Sequence, residues 1–285
     1  MSKTAAGEVG MMHRVSTDPL EPGPYERFRD LPETLERYLD TRANAVTGKW
    51  PQVISEAEGR PWYALTFDDG FRDNLYEALP ILERHKVPAT VFVTVGFVER
   101  ELESYSACIA RVLANRTEVR INSKRCLLAT PQDRVAAEQR LYRGMSCGSY
   151  ASRQRAFRRF LDENDVETPK PREDVFLDWR ELREMAAHPL ISIGAHSWTH
   201  PRLSRIPPWE LRHELLGARM RLERELGIPV RTLAYPHGAT NALTMWAARL
   251  AGFHWAFTTR PNLVTEGAQL NRMAIPRIEL SRLLD

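Results

Sequence analysis

The sequence predicts an α/β protein built on a mainly parallel sheet, and three features lead to that fold class. Short apolar runs recur along the chain, helix-like stretches lie between several of them, and each run ends in polar or turn residues. Strands that alternate with helices favour a parallel sheet, either open or closed into a barrel. The 285 residues, 43% hydrophobic and 27% charged, fit one large globular domain or a domain with a sizeable insertion.

Six apolar runs are the predicted strands. Each is bounded by polar or turn-forming residues, as expected for strands of a buried sheet. They span 63–67, 89–95, 190–196, 231–236, 255–259 and 273–278. A shorter run near the N-terminus, VGMMH, ends at His13.

Three helices are predicted between these runs. The first spans about 76–85, and the second spans 178–188 with Asp178 as its N-cap. The third ends at Gly227, a residue type that commonly terminates helices. Its apolar residues recur at helical spacing: Leu211, Leu215, Ala218, Leu222 and Leu226.

One segment, 104–171, interrupts the alternation of strands and helices, and we call it the basic segment. Between 111 and 160 it carries twelve Lys and Arg residues against three Asp and Glu residues. This pattern predicts a mainly helical insertion with a solvated basic face. The alternative is a lid that faces an anion, such as a phosphate on the substrate.

Composition and charge exclude several classes of protein. The net charge of +3 is too small to indicate a nucleic-acid or membrane partner. The basic segment also lacks the interleaved aromatic residues of a platform for stacking bases. Neither an N-terminal signal sequence nor a membrane-spanning apolar stretch is recognisable, which predicts a cytoplasmic protein. The three cysteines lack the spacing of a metal or redox motif and are predicted to be unpaired thiols.

Charged and imidazole side chains follow the ends of the predicted strands. Asp68 and Asp69 come after the first run, His196 and His200 after the third, and His13 after the N-terminal run. Active sites of parallel α/β folds form where the carboxyl ends of strands meet. One Asp and two His residues there predict a site for Zn²⁺ or a similar divalent ion. Taken singly, Asp69 would be explained by turn formation, and either histidine by a structural hydrogen bond.

Two motifs resemble those of the polysaccharide deacetylase family, also called carbohydrate esterase family four. They are TFDDG at 66–70 and HSWTH at 196–200, and their order, spacing and flanking residues all match. The resemblance runs from about His13 to Ile278 and is weakest in the basic segment. It implies a distorted (β/α) barrel of about seven strands, with 1–285 forming a single catalytic domain. It also implies removal of N-acetyl groups from sugars with the help of a divalent metal.

The resemblance assigns roles to the residues of these two motifs. Asp69, His196 and His200 are implied to be the metal ligands, and Asp68 the general base that deprotonates the attacking water. Three protein ligands leave coordination positions open for water and the substrate carbonyl. Zn²⁺ is the first choice of metal, with Co²⁺, Ni²⁺, Mn²⁺ and Fe²⁺ as alternatives.

A third motif, YPHG, matches the one that lines the family's pocket. It places Tyr235, Pro236 and His237 at the substrate, with the backbone N–H of His237 helping to bind the oxyanion. The chain departs from the common pattern just before this motif. Ala234 occupies the place of an arginine that braces the catalytic base in most members.

The second departure concerns the general acid. The C-terminal sequence MAIPRIELSRLLD contains no histidine, although the family usually supplies the acid there. Both departures resemble the branch that includes poly-N-acetylglucosamine deacetylases, in which the barrel is circularly permuted. In that branch the acid comes from a strand before the first motif, which implies His13 here. Arg277 is expected to replace the missing arginine. A merely structural role for His13 is the alternative.

The sequence leads to one principal function and two alternatives. The principal function is metal-dependent deacetylation of an N-acetylhexosamine-containing glycan or glycoconjugate, so an N-acetylated sugar is the expected partner. The first alternative keeps the site and changes the substrate to a nucleotide- or lipid-linked sugar or a small acetylated metabolite. The second is a glycan-binding protein without catalysis. Retention of both aspartates and both histidines argues against the second alternative.

Overall fold

The computed structural model describes residues 6–17, 29–102, 105–168, 170, 174–265 and 270–280. Among these residues, no helix combines the length and the apolar character that a membrane crossing requires.

The strands are short, and most belong to one sheet. In chain order they are β1 (Ala6–Met12), β2 (Arg14–Val15), β3 (Arg29–Asp30), β4 (Val46–Thr47), β5 (Trp62–Phe67), β6 (Ala89–Val93), β7 (Glu118–Ile121), β8 (Lys124–Leu127), β9 (Ile191–Ala195), β10 (Thr232–Ala234), β11 (Trp255–Phe257), β12 (Val264–Thr265) and β13 (Ile278–Glu279).

The helices lie mainly between these strands. They are α1 (Pro32–Asp40), α2 (Gln52–Glu56), α3 (Leu79–His85), α4 (Val95–Val98), α5 (Tyr105–Ala114), α6 (Pro131–Ser146), α7 (Tyr150–Glu163), α8 (Trp179–Ala187), α9 (Ala218–Leu226) and α10 (Ala242–Leu250). Single π-helical turns, Asn74–Ala78 and His213–Gly217, precede α3 and α9.

The main sheet curls into a distorted barrel. Its parallel strands follow the order β11-β10-β9-β6-β5-β1. The segment 275–279 completes the ring, because Ile275 bridges Phe257 of β11 while β13 pairs in parallel with β1. The six strands and the closing segment together form the seven extended segments of the barrel, which confirms the predicted fold class. β1 lies between β5 and the closing segment, the position that the permuted branch implies for an N-terminal strand.

Alternation along each strand separates two apolar clusters. In β5, Tyr63, Leu65 and Phe67 face the helices, whereas Trp62 and Ala64 belong to a second cluster with Phe92 and Phe257. Successive side chains of a strand point to opposite faces, so Thr66 and Asp68 continue the inward set. The sequence thereby directs Asp68 into the interior of the barrel.

The three predicted helices are present with similar bounds. Pro80 is the second residue of α3, which directly follows the π-helical turn Asn74–Ala78. Asp178 caps α8 by accepting from the backbone N–H of Glu181 at 2.7 Å. α9 ends at Gly227, whose φ of 67° lies in the left-handed region that glycine favours.

Two parts of the chain differ from the prediction. The run 273–278 forms only an isolated bridge at Ile275 and the two-residue strand β13. In the basic segment, helices α5, α6 and α7 match the helical prediction, but an antiparallel hairpin of β7 and β8 was not predicted. These elements enclose an apolar cluster of their own that includes Ile109, Leu141 and Phe157.

Close packing inside the barrel depends on Gly194 of β9. A Cβ atom there would lie 2.4 Å from the ring of Phe92, well inside contact distance. Gly194→Ala should therefore lower the free energy of unfolding by about 1–3 kcal/mol, measured by urea denaturation. Gly144→Ala in α6 is the control, because its Cβ would meet no described atom within 4 Å. It should raise stability by about 0.5–1 kcal/mol, and an equal loss in both variants would contradict this packing argument.

Candidate active site

The end of β5 forms a sharp turn that presents two carboxylates. The backbone N–H of Asp68 donates to the carbonyl of Met12 at 2.9 Å, which extends the pairing of β1 and β5 by one residue. Asp69 then adopts a φ of 73° and Gly70 a φ of 80°. Aspartate tolerates the left-handed region better than most residues, and glycine tolerates it without cost. This turn separates the two side chains, with Asp68 buried inside the barrel and Asp69 at its mouth.

The end of β9 supplies the histidines. The backbone N–H of His196 donates to the Val93 carbonyl at 2.8 Å, and the chain then turns through Ser197 and His200, whose φ values are 64° and 54°. The Ser197 hydroxyl accepts from the His200 backbone N–H at 3.1 Å and closes the turn. Both histidines therefore lie on a strand-end turn, as the sequence predicts.

These two strand ends bring three potential ligand atoms together. Asp69 Oδ1 lies 3.2 Å from His200 Nε2 and 3.6 Å from His196 Nε2. One ligand atom from each of the three residues falls within 4.8 Å of the other two. β5 and β9 are separated only by β6 in the sheet, which explains why residues so distant in sequence meet here.

The ring of His196 is held with Nε2 toward Asp69. Its Nδ1 lies 2.9 Å from the carbonyl oxygen of Ala234, a hydrogen bond that places the proton on Nδ1. The lone pair of Nε2 is then free to bind a cation. Burial is the first cause that lowers the pKa of His196, to about 4, so the imidazole is neutral at physiological pH.

The donor set fits a divalent cation. Among the described residues, the buried Oδ1 of Asp69 has no hydrogen-bond partner, although it lies between two imidazole nitrogens. Burial alone raises the pKa of Asp69, but its proximity to the two imidazoles, His200 first, outweighs this effect, and the net pKa lies well below its ordinary value. An ionised carboxylate oxygen without a donor, beside two histidines, is a ligand set suited to Zn²⁺.

Asp68 is paired with Arg277 inside the barrel. Nη1 and Nη2 of Arg277 donate to the two carboxylate oxygens, each at 2.7 Å, and Arg277 is 1% exposed. Arg277 Nε donates in turn to the Thr258 carbonyl at 3.1 Å. Burial raises the pKa of Asp68, but the charge of Arg277 more than compensates and the net pKa is lowered. Arg277 thus occupies the position that the sequence analysis expects for the missing arginine.

His13 lies at the same end of the barrel as Asp68. β1 and β5 pair with Met12 opposite Phe67, so the next residue of each strand, His13 and Asp68, emerges at the same level. His13 is close enough to contribute, after larger causes, to the lowered pKa values of Asp68 and Asp69. Asn74 Nδ2 donates to the His13 carbonyl at 2.9 Å and fixes the backbone there.

The YPHG motif forms the opposite side of the site. Tyr235 and Pro236 are buried, and His237 turns the chain with a φ of 59°. The ring of His237 packs edge-on against His200, with 4.6 Å between ring centroids. Burial and the neighbouring charge of His200 lower the pKa of His237 well below its ordinary value.

Comparison with known proteins agrees with this geometry. A family model for polysaccharide deacetylases matches residues 55–256. The chain belongs to the polysaccharide deacetylase family. Membership supports glycan deacetylation, an activity on N-acetyl groups. No curated protein matches the sequence significantly.

Solved structures extend the likeness over nearly the whole chain. The Streptococcus pyogenes deacetylase PplD in complex with acetate has a TM-score of 0.63 and 16% identity, covering 99% of this chain and 98% of that one. IcaB from Ammonifex degensii has a TM-score of 0.60 and 18% identity, covering 97% and 92%. The BpsB deacetylase domain from Bordetella bronchiseptica has a TM-score of 0.59 and 17% identity, covering 96% and 97%. At these identities the likeness is one of fold.

The matched range of the polysaccharide deacetylase family includes both aspartates and both candidate metal histidines. His13 and Arg277 lie outside it, on opposite sides. Barrel closure brings those two residues to the site, because β1 and the segment 275–279 are neighbours. Their placement depends on the fold rather than on the matched motifs.

Sequence reasoning missed three residues around the site. Glu214 accepts the backbone N–H groups of Trp198 and Thr199 at 3.0 and 2.8 Å, and so supports the turn before His200. Two residues of the basic segment also reach the site: Tyr142 contacts His237, and Arg153 contacts Thr199. Tyr142 and Arg153 belong to no motif, so the sequence did not indicate their contacts with the site.

Substitution of Arg277 should destabilise the fold, because the buried charge of Asp68 would then lack its partner. Arg277→Leu leaves a buried carboxylate without its partner and should lower the free energy of unfolding by about 3–5 kcal/mol at neutral pH, measured by urea denaturation with a chelator present. The matched control, Arg183→Leu, breaks a half-exposed pair with Glu225 and should cost less than about 1 kcal/mol.

The loss of stability in Arg277→Leu should depend on pH, because the pKa of Asp68 is lowered in the folded protein. The pKa of Asp68 is lower in the folded protein than in the unfolded chain. The Arg277–Asp68 pair therefore stabilises the fold at pH values above the pKa of Asp68 in the unfolded chain. This contribution disappears as the pH falls through the pKa of Asp68 in the folded protein. The gap in stability between wild type and Arg277→Leu should therefore narrow toward acid pH. A gap that stays constant with pH would contradict the assignment.

Proposed function

We propose that this protein is a divalent-metal-dependent deacetylase that hydrolyses the N-acetyl amide of an N-acetylhexosamine-containing glycan or glycoconjugate. One observation carries the proposal. A three-residue ligand set and a buried, arginine-paired carboxylate share one end of the barrel, with Asp68 Oδ2 3.9 Å from His196 Nε2. A ligand set and a base so close together can act on the same water molecule.

Asp69, His196 and His200 would hold the metal, Zn²⁺ first among the candidates. When bound, the ion supplies Lewis acidity, which polarises the amide carbonyl and lowers the pKa of water. The hydrogen bond from His196 to Ala234 keeps Nε2 directed at the ligand cluster, so the site is organised before an ion enters.

Asp68 would accept the proton of the attacking water. Arg277 holds both carboxylate oxygens in place and keeps the group ionised, so it is ready to act as a base at neutral pH. Pairing with Arg277 also makes Asp68 a poor competitor for the metal, and leaves that task to Asp69.

The developing oxyanion would be stabilised beside the YPHG turn. The backbone N–H of His237 is the candidate donor, because the left-handed turn carries that residue to the ligand cluster. Backbone donors held in a rigid turn need no reorganisation as charge develops on the substrate oxygen.

His13 would protonate the leaving amine. An amine is a poor leaving group until it is protonated, so a proton donor must face it as the tetrahedral intermediate collapses. His237 is the other histidine near the cluster that could serve, but its strongly lowered pKa makes it unsuited to carry a proton at neutral pH. The position of His13, directly after β1 and level with Asp68, makes it the candidate acid.

The basic segment favours one alternative substrate class. α7 exposes Arg155, Arg158 and Arg159 on the side away from its apolar cluster. Exposed arginines suit an anionic acceptor, such as an acetylated sugar linked to a nucleotide or to a lipid phosphate. The site chemistry is the same for both substrate classes.

A panel assay tests the function and separates the substrate classes. Acetate release is measured with N-acetylated oligosaccharides, nucleotide-linked and lipid-linked sugars, and free N-acetylhexosamines, each with Zn²⁺, Co²⁺, Ni²⁺, Mn²⁺ or Fe²⁺. We expect release from at least one class and its abolition by a chelator. Binding of glycans without acetate release under any metal would instead support a non-catalytic glycan-binding protein.

Two variants separate the metal ligand from the base. His196→Ala should lose both stoichiometric Zn²⁺ and activity, whereas Asp68→Asn should keep Zn²⁺ and lose roughly a hundredfold or more of its turnover. Metal content by elemental analysis and acetate release are the two measurements. His188→Ala is the control, since this histidine pairs with Glu83 away from the site and should change neither. Loss of Zn²⁺ from Asp68→Asn would mean that the two aspartates have exchanged roles.

The general-acid assignment has its own test. His13→Ala should retain the fold and Zn²⁺ but lose roughly a hundredfold of turnover, because the leaving amine lacks its proton donor. The alkaline limb of its pH–rate profile should also disappear. A substrate with a better leaving group should recover most of the lost rate. If that substrate is affected as strongly as the amide, His13 acts on binding and the proton comes from elsewhere.

A further inference from the structure

The basic segment contacts the candidate active site at two points. Tyr142 extends from α6 to the YPHG turn, and Arg153 extends from α7 to the turn that carries His200. Each involves a polar group that approaches a residue next to, or part of, the reacting centre.

Tyr142 holds the ring of His237. Its hydroxyl lies 3.1 Å from Nδ1 and 3.4 Å from Nε2 of that ring, and the two rings are perpendicular with 5.2 Å between centroids. His200 packs against the same imidazole, with 4.6 Å between ring centroids. The ring of His237 therefore contacts both a proposed metal ligand and a residue of the basic segment.

Arg153 supports the turn before His200. The side chain is 1% exposed, and its Nη2 donates to the Thr199 hydroxyl at 3.0 Å. The same nitrogen lies 3.5 Å from Glu214, which accepts the backbone N–H groups of Trp198 and Thr199. Buried charges of this kind are rigid once paired, and breaking one partner is costly.

Backbone contacts fix this part of the basic segment to the same turn region. The N–H of Gly148 donates to the Arg205 carbonyl at 2.8 Å, and the N–H of Arg202 donates to the Ser146 carbonyl at 2.9 Å. The N–H of Tyr150 donates to the Glu210 carboxylate at 3.0 Å. The link between α6 and α7 is thereby joined to the chain that follows the HSWTH motif.

We propose that the basic segment is part of the active site, with Tyr142 and Arg153 as positioning residues. Tyr142 acts through His237 and fixes the turn whose backbone N–H faces the oxyanion. Arg153 acts through Thr199 and Glu214 and fixes the turn that presents His200 to the metal. This inference rests on the proposed function.

The two residues should affect different steps. The Arg153 network is an outer layer around a metal ligand, and loss of such support weakens metal affinity by about 10–100-fold. Tyr142 contacts His237, which is not one of the three proposed metal ligands, so we expect its loss to leave affinity unchanged. It should instead lower kcat by about tenfold, with a smaller change in KM, since the oxyanion forms only in the transition state.

The first experiment compares metal affinity. Zn²⁺ dissociation constants are measured by competition with a chromogenic chelator for wild type, Arg153→Met and Thr199→Val. Arg183→Met, a half-exposed arginine that pairs with Glu225, is the control. We expect affinity to fall about tenfold or more in Arg153→Met, to fall in Thr199→Val, and to be unchanged in the control. If Arg153→Met does not fold, Thr199→Val decides, because it removes only a hydroxyl. Wild-type affinity in the variants that fold overturns the role of Arg153.

The second experiment separates kcat from KM. Tyr142→Phe removes the hydroxyl alone, and Tyr105→Phe is the control, since it removes a hydroxyl that bonds Gln154 within the basic segment. We expect a fall in kcat only in Tyr142→Phe, with unchanged thermal stability and Zn²⁺ affinity. In a His237→Ala background the effect of Tyr142→Phe should disappear, as a double-mutant cycle requires of coupled residues. An effect that persists there, or that is absent in wild type, overturns the role of Tyr142.

Measurements on the wild-type protein distinguish failure of the proposed function from failure of this further inference. A wild-type protein that neither binds Zn²⁺ nor releases acetate from any substrate of the panel overturns the proposed function and this inference with it. A wild-type protein that does both, with variants that match their controls, overturns this inference alone.

Discussion

The ion pair between Arg277 and Asp68 is the interaction on which the site depends. It places a carboxylate inside a barrel where an unpaired charge would be unstable, and it does so with both oxygens bound at 2.7 Å. The pair also leaves Asp69 as the carboxylate that faces the histidines. Two adjacent aspartates, which would otherwise repel each other, are thus given different partners and different chemistry. A residue near the C-terminal end of the chain makes that division.

Much of the site could be predicted from the sequence, because its motifs are local. Asp68, Asp69, His196 and His200 follow apolar runs, and carboxyl ends of parallel strands converge whatever their separation in the chain. Arg277 and His13 required a topological argument, since neither lies in a matched motif. Their roles, and the bound metal, are still proposals.

The remaining features could not be read from local pattern. β13 has two residues and follows Pro276, so periodicity cannot reveal it. The hairpin of β7 and β8 is rich in charged residues, and each of its strands has only four residues. Strands this short show too little alternation of polar and apolar residues to be distinguished from a helix by sequence. Tyr142 and Arg153 gain their positions from the docking of α6 and α7, a tertiary event. A lone tyrosine or arginine in a basic helix carries no sign of its eventual contact.

The closing segment 275–279 also has a consequence for biosynthesis. It pairs with β1, so the barrel cannot close until residues 275–279 have left the ribosome. Contacts between such distant parts of a chain form late and slowly. Until then Asp68 lacks its guanidinium partner, and a chain that stops before Arg277 holds the family's motifs without that ion pair. The ion pair of Asp68 is in this way completed only in molecules that contain both β1 and the closing segment.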